Sequence, residues 1–138
     1  MLFLGPRPKV KDIPTLSRKF DKVVILLRNN ELGNLIEEYK KNGTDIIHAP
    51  FLVGSKLEEE LTKVRQSIKE VANFIKSGKN IFVHCSAGIH RTGTFAYSVF
   101  RYMGYDRRES IKRVSEIRNI TGEGMMPFIK WAEETLVD

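Results

Sequence analysis

Apolar residues are arranged along the chain in two patterns, short continuous runs and longer stretches in which they recur every three or four positions. The continuous runs predict strands buried on both faces at residues 23–27, 46–50 and 81–84, and the pattern also allows a short strand at 2–4. The spaced stretches predict helices at residues 31–41, 57–77, 91–103, 107–117 and 126–137. Strands and helices therefore alternate, which predicts an α/β fold with a mostly parallel central sheet flanked by helices on both faces.

The length of 138 residues favours one domain, residues 1–138, with enough apolar side chains to build a core. The sequence shows no internal repeat, low-complexity tract or linker. In a parallel sheet, ligands bind beyond the carboxyl ends of the strands. The segment that follows the predicted strand at residues 81–84 is therefore a natural place for a functional site.

That segment combines a cysteine, a glycine and an arginine at the start of a predicted helix; it runs His84-Cys85-Ser86-Ala87-Gly88-Ile89-His90-Arg91-Thr92. A free thiol has a pKa of about 8.5, and a helix N-terminus lowers it, which favours the nucleophilic thiolate. Free backbone N–H groups before a helix also bind phosphate. Gly88 permits a tight turn around the anion, and Arg91 offers a planar fork for two phosphoryl oxygens. A cysteine at a strand end is by itself more often a packing residue, but this combination predicts a phosphate-handling loop.

The order His-Cys, five residues, Arg, then Ser or Thr resembles the signature of cysteine-dependent protein phosphatases of the tyrosine and dual-specificity kinds. The resemblance implies that Cys85 attacks phosphorus while Arg91 and the loop N–H groups hold the phosphoryl oxygens. It implies supporting roles for His84, which would order the loop from behind, and for Thr92, whose hydroxyl would ease departure of the thiolate. The phosphate-binding loop residues would be Ser86, Ala87, Gly88, Ile89, His90 and Arg91. No metal and no cofactor are expected.

The signature also indicates which branch of the phosphatases the chain resembles. Its length resembles the compact dual-specificity branch, and no segment looks like the loop with which larger enzymes hold a phosphotyrosine ring. Residues 86–89 nevertheless look like those of tyrosine-specific members. His90 departs from the small residue that those members usually carry.

One expected group is missing from the sequence, the general acid. In the family an aspartate on a loop after an earlier strand protonates the leaving oxygen, and here residues 48–55 contain no carboxylate, with Val53 near the expected position. Asp45 begins its predicted strand and should lie at the wrong edge of the sheet. Glu58 fits a helix capping box with Ser55 better than a catalytic role.

Two other residues, His48 and Glu123, are weaker candidates for that acid, and Asn119 is a candidate only for helping to position the hydrolytic water, as the corresponding region does in the family. His48 could lie near the mouth of the site, although a packed residue at a strand end is the more common case. Glu123 and Asn119 lie in the predicted loop at residues 118–124, where surface residues are the ordinary expectation. The sequence does not identify the acid.

The missing acid shapes the predicted function. Positioned acid catalysis typically contributes about 10²–10⁴ in rate, and its loss matters most for poor leaving groups such as alkoxides. The favoured prediction is a phosphatase acting on phosphotyrosine-containing proteins, with dual specificity left open. The alternatives are an RNA 5′-triphosphatase or polyphosphate phosphatase of the same fold, and a phosphate-binding module with little turnover.

Composition adds expectations about partners and location. The net charge is +6, and part of the positive excess lies in one predicted helix, at Arg107, Arg108, Lys112 and Arg113, with Arg118 beyond it. Apolar positions between them favour a solvated helix face over a nucleic-acid site.

A single cysteine excludes an internal disulfide and favours a reducing compartment. No apolar run is long enough for a membrane span, and Pro6 and Pro8 break the N-terminal segment too early for a signal peptide. These features predict a cytoplasmic protein; its oligomeric state stays open.

Overall fold

In the computed structural model, which describes residues 1–137, the core is a sheet of parallel strands. The strands are β1 (Leu2–Gly5), β2 (Lys22–Ile25), β3 (Ile46–His48) and β4 (Ile81–His84). They lie in the order β1-β4-β2-β3, and every neighbouring pair is parallel. The predicted parallel sheet is confirmed, including the short first strand.

The helices alternate with the strands as predicted, and a further helix that was not predicted lies at residues 13–19. They are α1 (Ile13–Lys19), α2 (Asn29–Leu32), α3 (Leu35–Lys41), α4 (Glu58–Lys76), α5 (His90–Tyr102), α6 (Arg107–Ile117), α7 (Asn119–Met125) and α8 (Ile129–Thr135). Short 3₁₀ turns at Val10–Asp12 and Met126–Phe128 lead into α1 and α8. No helix within residues 1–137 is long and apolar enough to span a membrane.

Strand β4 shows why helices cover both faces of the sheet. Successive side chains of a strand point to opposite faces. On one face, the Phe82 ring stacks on Phe20 at 5.3 Å between centroids, and His84 bonds to Tyr39 of α3. Ile81 and Val83 alternate with these residues and are fully buried, and α4 and α5 both contact β4. The predicted layered architecture is confirmed.

Two predicted segments differ from the structure. The helix predicted at residues 31–41 is divided into α2 and α3 by Gly33, whose φ of +55° ends α2. The loop predicted at residues 118–124 is instead mostly α7, a short helix whose Thr121 and Met125 are buried. Its glycines misled the prediction because they permit close packing: a Cβ on Gly122 would lie 2.1 Å from Ser115 Oγ.

The two predicted helix caps had different outcomes. Asp106 caps α6, since its carboxylate accepts a hydrogen bond from Glu109 N at 2.8 Å. The predicted cap of α4 is wrong, because the helix starts at Glu58 after Leu57 and has no side-chain cap. Ser55 lies too far upstream to cap it and instead donates its hydroxyl to Glu60 Oε2 at 2.9 Å.

The carboxyl ends of the strands gather the segments that matter for function. The chain leaves β4 into Cys85 and the loop before α5, which we call the signature loop (residues 85–91). Beside it, the chain leaves β1 toward Arg7 and leaves β2 toward Arg28 and α2. Four parallel strands thus place distant parts of the sequence at one edge of the sheet.

Candidate active site

Cys85 lies immediately beyond β4, at the base of the signature loop. The residue is only 4% exposed, and the Thr92 hydroxyl donates a hydrogen bond to Sγ at 3.1 Å. Burial by itself would raise the pKa of this thiol, but hydrogen bonds from the Thr92 hydroxyl and from the N–H groups of Thr92 and Gly88, together with the Arg91 charge, lower it below its ordinary value. The arrangement therefore favours a thiolate.

The signature loop directs its carbonyl groups outward to donors on the surrounding elements. Cys85 O lies 3.0 Å from His84 Nδ1, Ser86 O accepts from Arg7 N at 2.8 Å, and Gly88 O accepts from the Thr121 hydroxyl at 2.6 Å. A trans peptide places its N–H opposite its carbonyl. Each outward carbonyl therefore turns the following N–H toward the inside of the loop, where an anion would bind.

Gly88 is the residue that the tight turn requires. Its φ is +72°, a region where only glycine is unstrained, and a Cβ there would lie 2.2 Å from Gly5 O. The loop thus packs directly on the end of β1, with no room for a side chain between the two backbones.

His84 is a buried neutral base beneath the loop. Because the Cys85 carbonyl can only accept, Nδ1 carries the proton, and Nε2 accepts from the Tyr39 hydroxyl at 3.0 Å. Burial lowers the pKa of His84 to about 4. The geometry agrees with the predicted role of ordering the loop from behind.

This histidine predicts how stability depends on pH. In the unfolded chain His84 is protonated below its ordinary pKa of 6.5, whereas in the folded chain its pKa of about 4 keeps it neutral down to that pH. Stability is therefore complete above pH 6.5 and falls with pH from there to about 4, by roughly 2 kcal/mol between pH 7 and 5. Urea unfolding at the two pH values measures the loss. The carboxylates whose pKa values are lowered start from an ordinary pKa of 4.5, so they titrate mainly below this range. In His84→Gln the extra loss should disappear; a pH dependence equal to that of the unchanged protein would contradict this account.

Arg91, in the first turn of α5, is held by a carboxylate. Its Nη1 and Nη2 atoms donate to Glu31 Oε1 and Oε2 at 2.8 and 2.9 Å, and Nη1 also lies 3.4 Å from Phe51 O. A guanidinium has five N–H donors. These bonds use both hydrogens of Nη1 and one of Nη2, which leaves Nε and the second Nη2 hydrogen as a fork for two oxygens of a bound anion.

Sequence reasoning missed Glu31. The pair joins residues sixty positions apart, and Glu31 is also the third residue of α2, where its carboxylate accepts from Arg28 N at 2.9 Å. One feature of the predicted parallel sheet could have indicated the pair. The segment that follows β2, which contains Glu31, lies at the same edge of the sheet as the segment that follows β4, which contains Arg91. Hydrogen bonds from Arg91 hold the pKa of Glu31 below its ordinary value, so this group is an ionised partner.

A second ion pair extends this network to the loop that follows β3. Arg28 donates from Nε and Nη2 to the two oxygens of Glu60, each at 2.9 Å, and Ser55 donates to the same carboxylate. Hydrogen bonding to Arg28 lowers the pKa of Glu60. A continuous series of hydrogen bonds and ion pairs therefore joins the segment between β3 and α4 to Arg91. It runs from Ser55 to Glu60, Arg28, Glu31 and Arg91.

None of the acids weighed from the sequence is placed as a proton donor. Asp45 pairs with Lys22 at the start of β2, as expected for the wrong edge. Glu58 is exposed and pairs with Arg65, while exposed Glu123 accepts from Asn119. His48, half-buried, bonds through Nε2 to Leu27 O at 2.7 Å, which supports the packed strand-end interpretation. Val53, which the sequence places near the expected position of the acid, is half-buried.

Comparison with known proteins identifies the family. The model of the dual specificity phosphatase catalytic domain matches residues 2–133 of this chain. The chain belongs to this phosphatase family. A search of curated proteins found no match.

Solved phosphatase structures share the fold over most of their length. Tk-PTP in its active form is 25% identical, with a TM-score of 0.73, covering 94% of this chain and 88% of that one. Kinase associated phosphatase (KAP), with its catalytic-site cysteine replaced by serine, is 19% identical, with a TM-score of 0.75 and coverage of 97% and 82%. The core catalytic domain of the PP-IP phosphatase SIW14 from S. cerevisiae is 13% identical, with a TM-score of 0.63 and coverage of 96% and 86%.

Proposed function

We propose that this phosphatase hydrolyses phosphotyrosine-containing proteins through a phosphocysteine intermediate on Cys85. The observation that carries the proposal is the meeting, in one loop, of a thiol with a lowered pKa and an arginine fork held by Glu31. A purely phosphate-binding module has no use for an activated sulfur. The loop therefore favours turnover over binding alone.

The mechanism uses the groups in order. The Cys85 thiolate attacks phosphorus, a P–S bond forms, and the P–O bond breaks with its electron pair leaving on the substrate oxygen. Arg91 and the inward N–H groups hold the phosphoryl oxygens, whose charge and geometry change most in the transition state. Water then attacks phosphorus, inorganic phosphate departs, and the sulfur leaves as a thiolate that accepts the Thr92 hydrogen bond.

The preference for phosphotyrosine follows from the leaving group. The segment from His48 to Ser55 carries no carboxylate, and the two carboxylates of the ion-pair network, Glu31 and Glu60, have lowered pKa values. A carboxylate of this kind does not hold a proton to give. A phenolate departs far more readily without a proton than a serine alkoxide does, so tyrosine esters suit this site best.

The leaving-group argument gives the test of the proposal. On peptides of one sequence, kcat/KM for the phosphotyrosine form should exceed that for the phosphoserine form at least about 10²-fold, the usual effect of a missing proton donor. A series of substituted phenyl phosphates should show kcat/KM falling steeply as the pKa of the leaving phenol rises. Equal rates on the two peptides, or a flat series, would contradict the proposal.

The same missing acid favours one second candidate, hydrolysis of phosphoanhydrides, because a phosphate leaving group needs no proton. A structural neighbour, SIW14, is a PP-IP phosphatase, but at 13% identity it supports the fold alone. Preference for triphosphate-ended RNA or inorganic polyphosphate over the phosphotyrosine peptide would select this candidate. The basic helix α6 does not favour RNA, since Lys112 and Arg113 pair with Glu116 and Glu109 of the same helix.

The chemistry of the site also supports a location. A thiolate nucleophile stays active only where thiols remain reduced. We therefore propose that the protein works in the cytoplasm.

A further inference from the structure

We propose that Arg118 and Thr121, at the junction of α6 and α7, are positioning residues that hold the signature loop in its anion-binding form. This inference rests on the proposed function of the loop and adds residues that the signature does not contain. Both side chains donate to carbonyl groups on the outer side of the loop. They contact the loop from the side opposite to its inward N–H groups.

The contacts fall on two successive peptide groups. Arg118 Nη1 lies 2.8 Å from Gly88 O and 3.4 Å from Ala87 O, and the Thr121 hydroxyl donates to Gly88 O at 2.6 Å. Arg118 Nη1 also donates to Thr121 Oγ1 at 3.1 Å, so the two side chains hold each other. Thr121 is fully buried.

Fixing these carbonyls fixes the N–H groups on the other side. The peptide whose carbonyl is Ala87 O carries the Gly88 N–H, and that N–H is one of the groups that lower the pKa of Cys85. The next peptide, whose carbonyl is Gly88 O, carries the Ile89 N–H and directs it inward in the same way. Losing the outer donors would leave a buried Gly88 carbonyl unpaired, a cost that a rotated peptide can relieve by exposing the oxygen.

The fit of α7 against the loop shows that the contact is built into the fold. A Cβ on Gly124 would lie 2.1 Å from Ile89 Cγ2, and one on Gly93 of α5 would lie 2.6 Å from Met125 Cβ. Beyond α7, the Phe128 ring packs edge-on against His90 at 4.9 Å between centroids. Helix α7 therefore has little freedom to move away from the loop.

The test combines Arg118→Met with Thr121→Val, which removes the donors while keeping most of the side-chain volume. The readouts are the Cys85 pKa, from the pH profile of iodoacetamide alkylation, and inorganic phosphate affinity, from protection against that alkylation. We expect the pKa to rise by about one unit and phosphate binding to weaken about tenfold or more. In the single variant Arg118→Lys, which keeps a cationic donor, the rise in the Cys85 pKa and the loss of phosphate affinity should both be smaller than in the double variant. If the double variant is too unstable, Thr121→Val alone should raise the pKa and weaken phosphate binding in the same direction.

A matched control separates positioning from stability. On α4, Arg65 Nε donates to Thr135 O at 2.8 Å and the Ser67 hydroxyl donates to Lys63 O at 2.9 Å, so Arg65→Met with Ser67→Ala removes similar bonds far from the loop. The control should change neither readout. An unchanged Cys85 pKa and phosphate affinity in the α7 variants, or an equal change in the control, would overturn the proposal. Neither readout needs turnover, so a wild type inactive on phosphotyrosine would refute only the proposed function.

Discussion

Replacing Cys85 by serine is expected to abolish turnover of a phosphotyrosine peptide, lowering kcat by at least about 10⁴-fold, as the loss of a nucleophile does in other covalent enzymes. The hydrogen bonds from Thr92 and Gly88 lower the pKa of the Cys85 thiol. A serine hydroxyl is far less acidic than a thiol, so the same hydrogen bonds leave the serine protonated near neutral pH. The substitution is nearly isosteric, so the fold and the phosphate loop should persist.

Steady-state kinetics of the two proteins measures this effect, and phosphate binding by Cys85→Ser shows that the loop is intact. The matched control is Ser98→Ala, a buried hydroxyl of α5 that bonds only within its own helix, to Thr94 O at 2.7 Å. Activity in Cys85→Ser above about one hundredth of the wild-type rate would mean that another group attacks phosphorus.

Replacing Arg91 by lysine should lower kcat/KM by about 10²–10³-fold, the usual cost of removing a donor from a charge-stabilising site. Lysine keeps the positive charge, but its single ammonium cannot bind Glu31 through two nitrogens and still present a fork to the phosphoryl oxygens. Because the fork acts mainly on the transition state, kcat should fall more than KM rises.

Glu31→Gln separates the guanidinium from its support in the same kinetic assay. It keeps Arg91 but breaks the ion pair, and a smaller loss of about tenfold is expected because the fork remains present though less well oriented. The matched control for Arg91→Lys is Arg101→Lys. Arg101 lies on α5, as Arg91 does, and it pairs with Glu133 of α8 at 2.7 Å. Equal losses in Arg91→Lys and Arg101→Lys would show that charge and stability, rather than the fork, explain the effect.

The parts of the site that could be predicted from the sequence are those whose chemistry is local. The segment from His84 to Thr92 is continuous, and the strand before it and the helix after it follow from nearby apolar residues. Thr92 reaches Cys85 across one turn of loop, and the predicted hydrogen bond between them is present.

The parts that could not be predicted depend on contacts between distant segments. Glu31 meets Arg91 only because β2 and β4 are neighbours in the sheet. Arg118 and Thr121 meet the loop because α7 packs closely on it, through glycines that in the sequence resembled a turn. The cap of α4 was misplaced because the helix begins only at Glu58, so Ser55 lies too far upstream to cap it and donates to Glu60, which also accepts two hydrogen bonds from Arg28.

The central claim, a phosphocysteine intermediate on Cys85, is tested most directly by acid-quenching the enzyme during turnover of a phosphotyrosine peptide and locating the phosphoryl group by mass spectrometry. The account predicts one phosphoryl group on Cys85 in the wild type, absent from Cys85→Ser and lost as substrate is exhausted. Turnover with no phosphorylated enzyme at any quench time, or with the phosphoryl group on a residue other than Cys85, would contradict it.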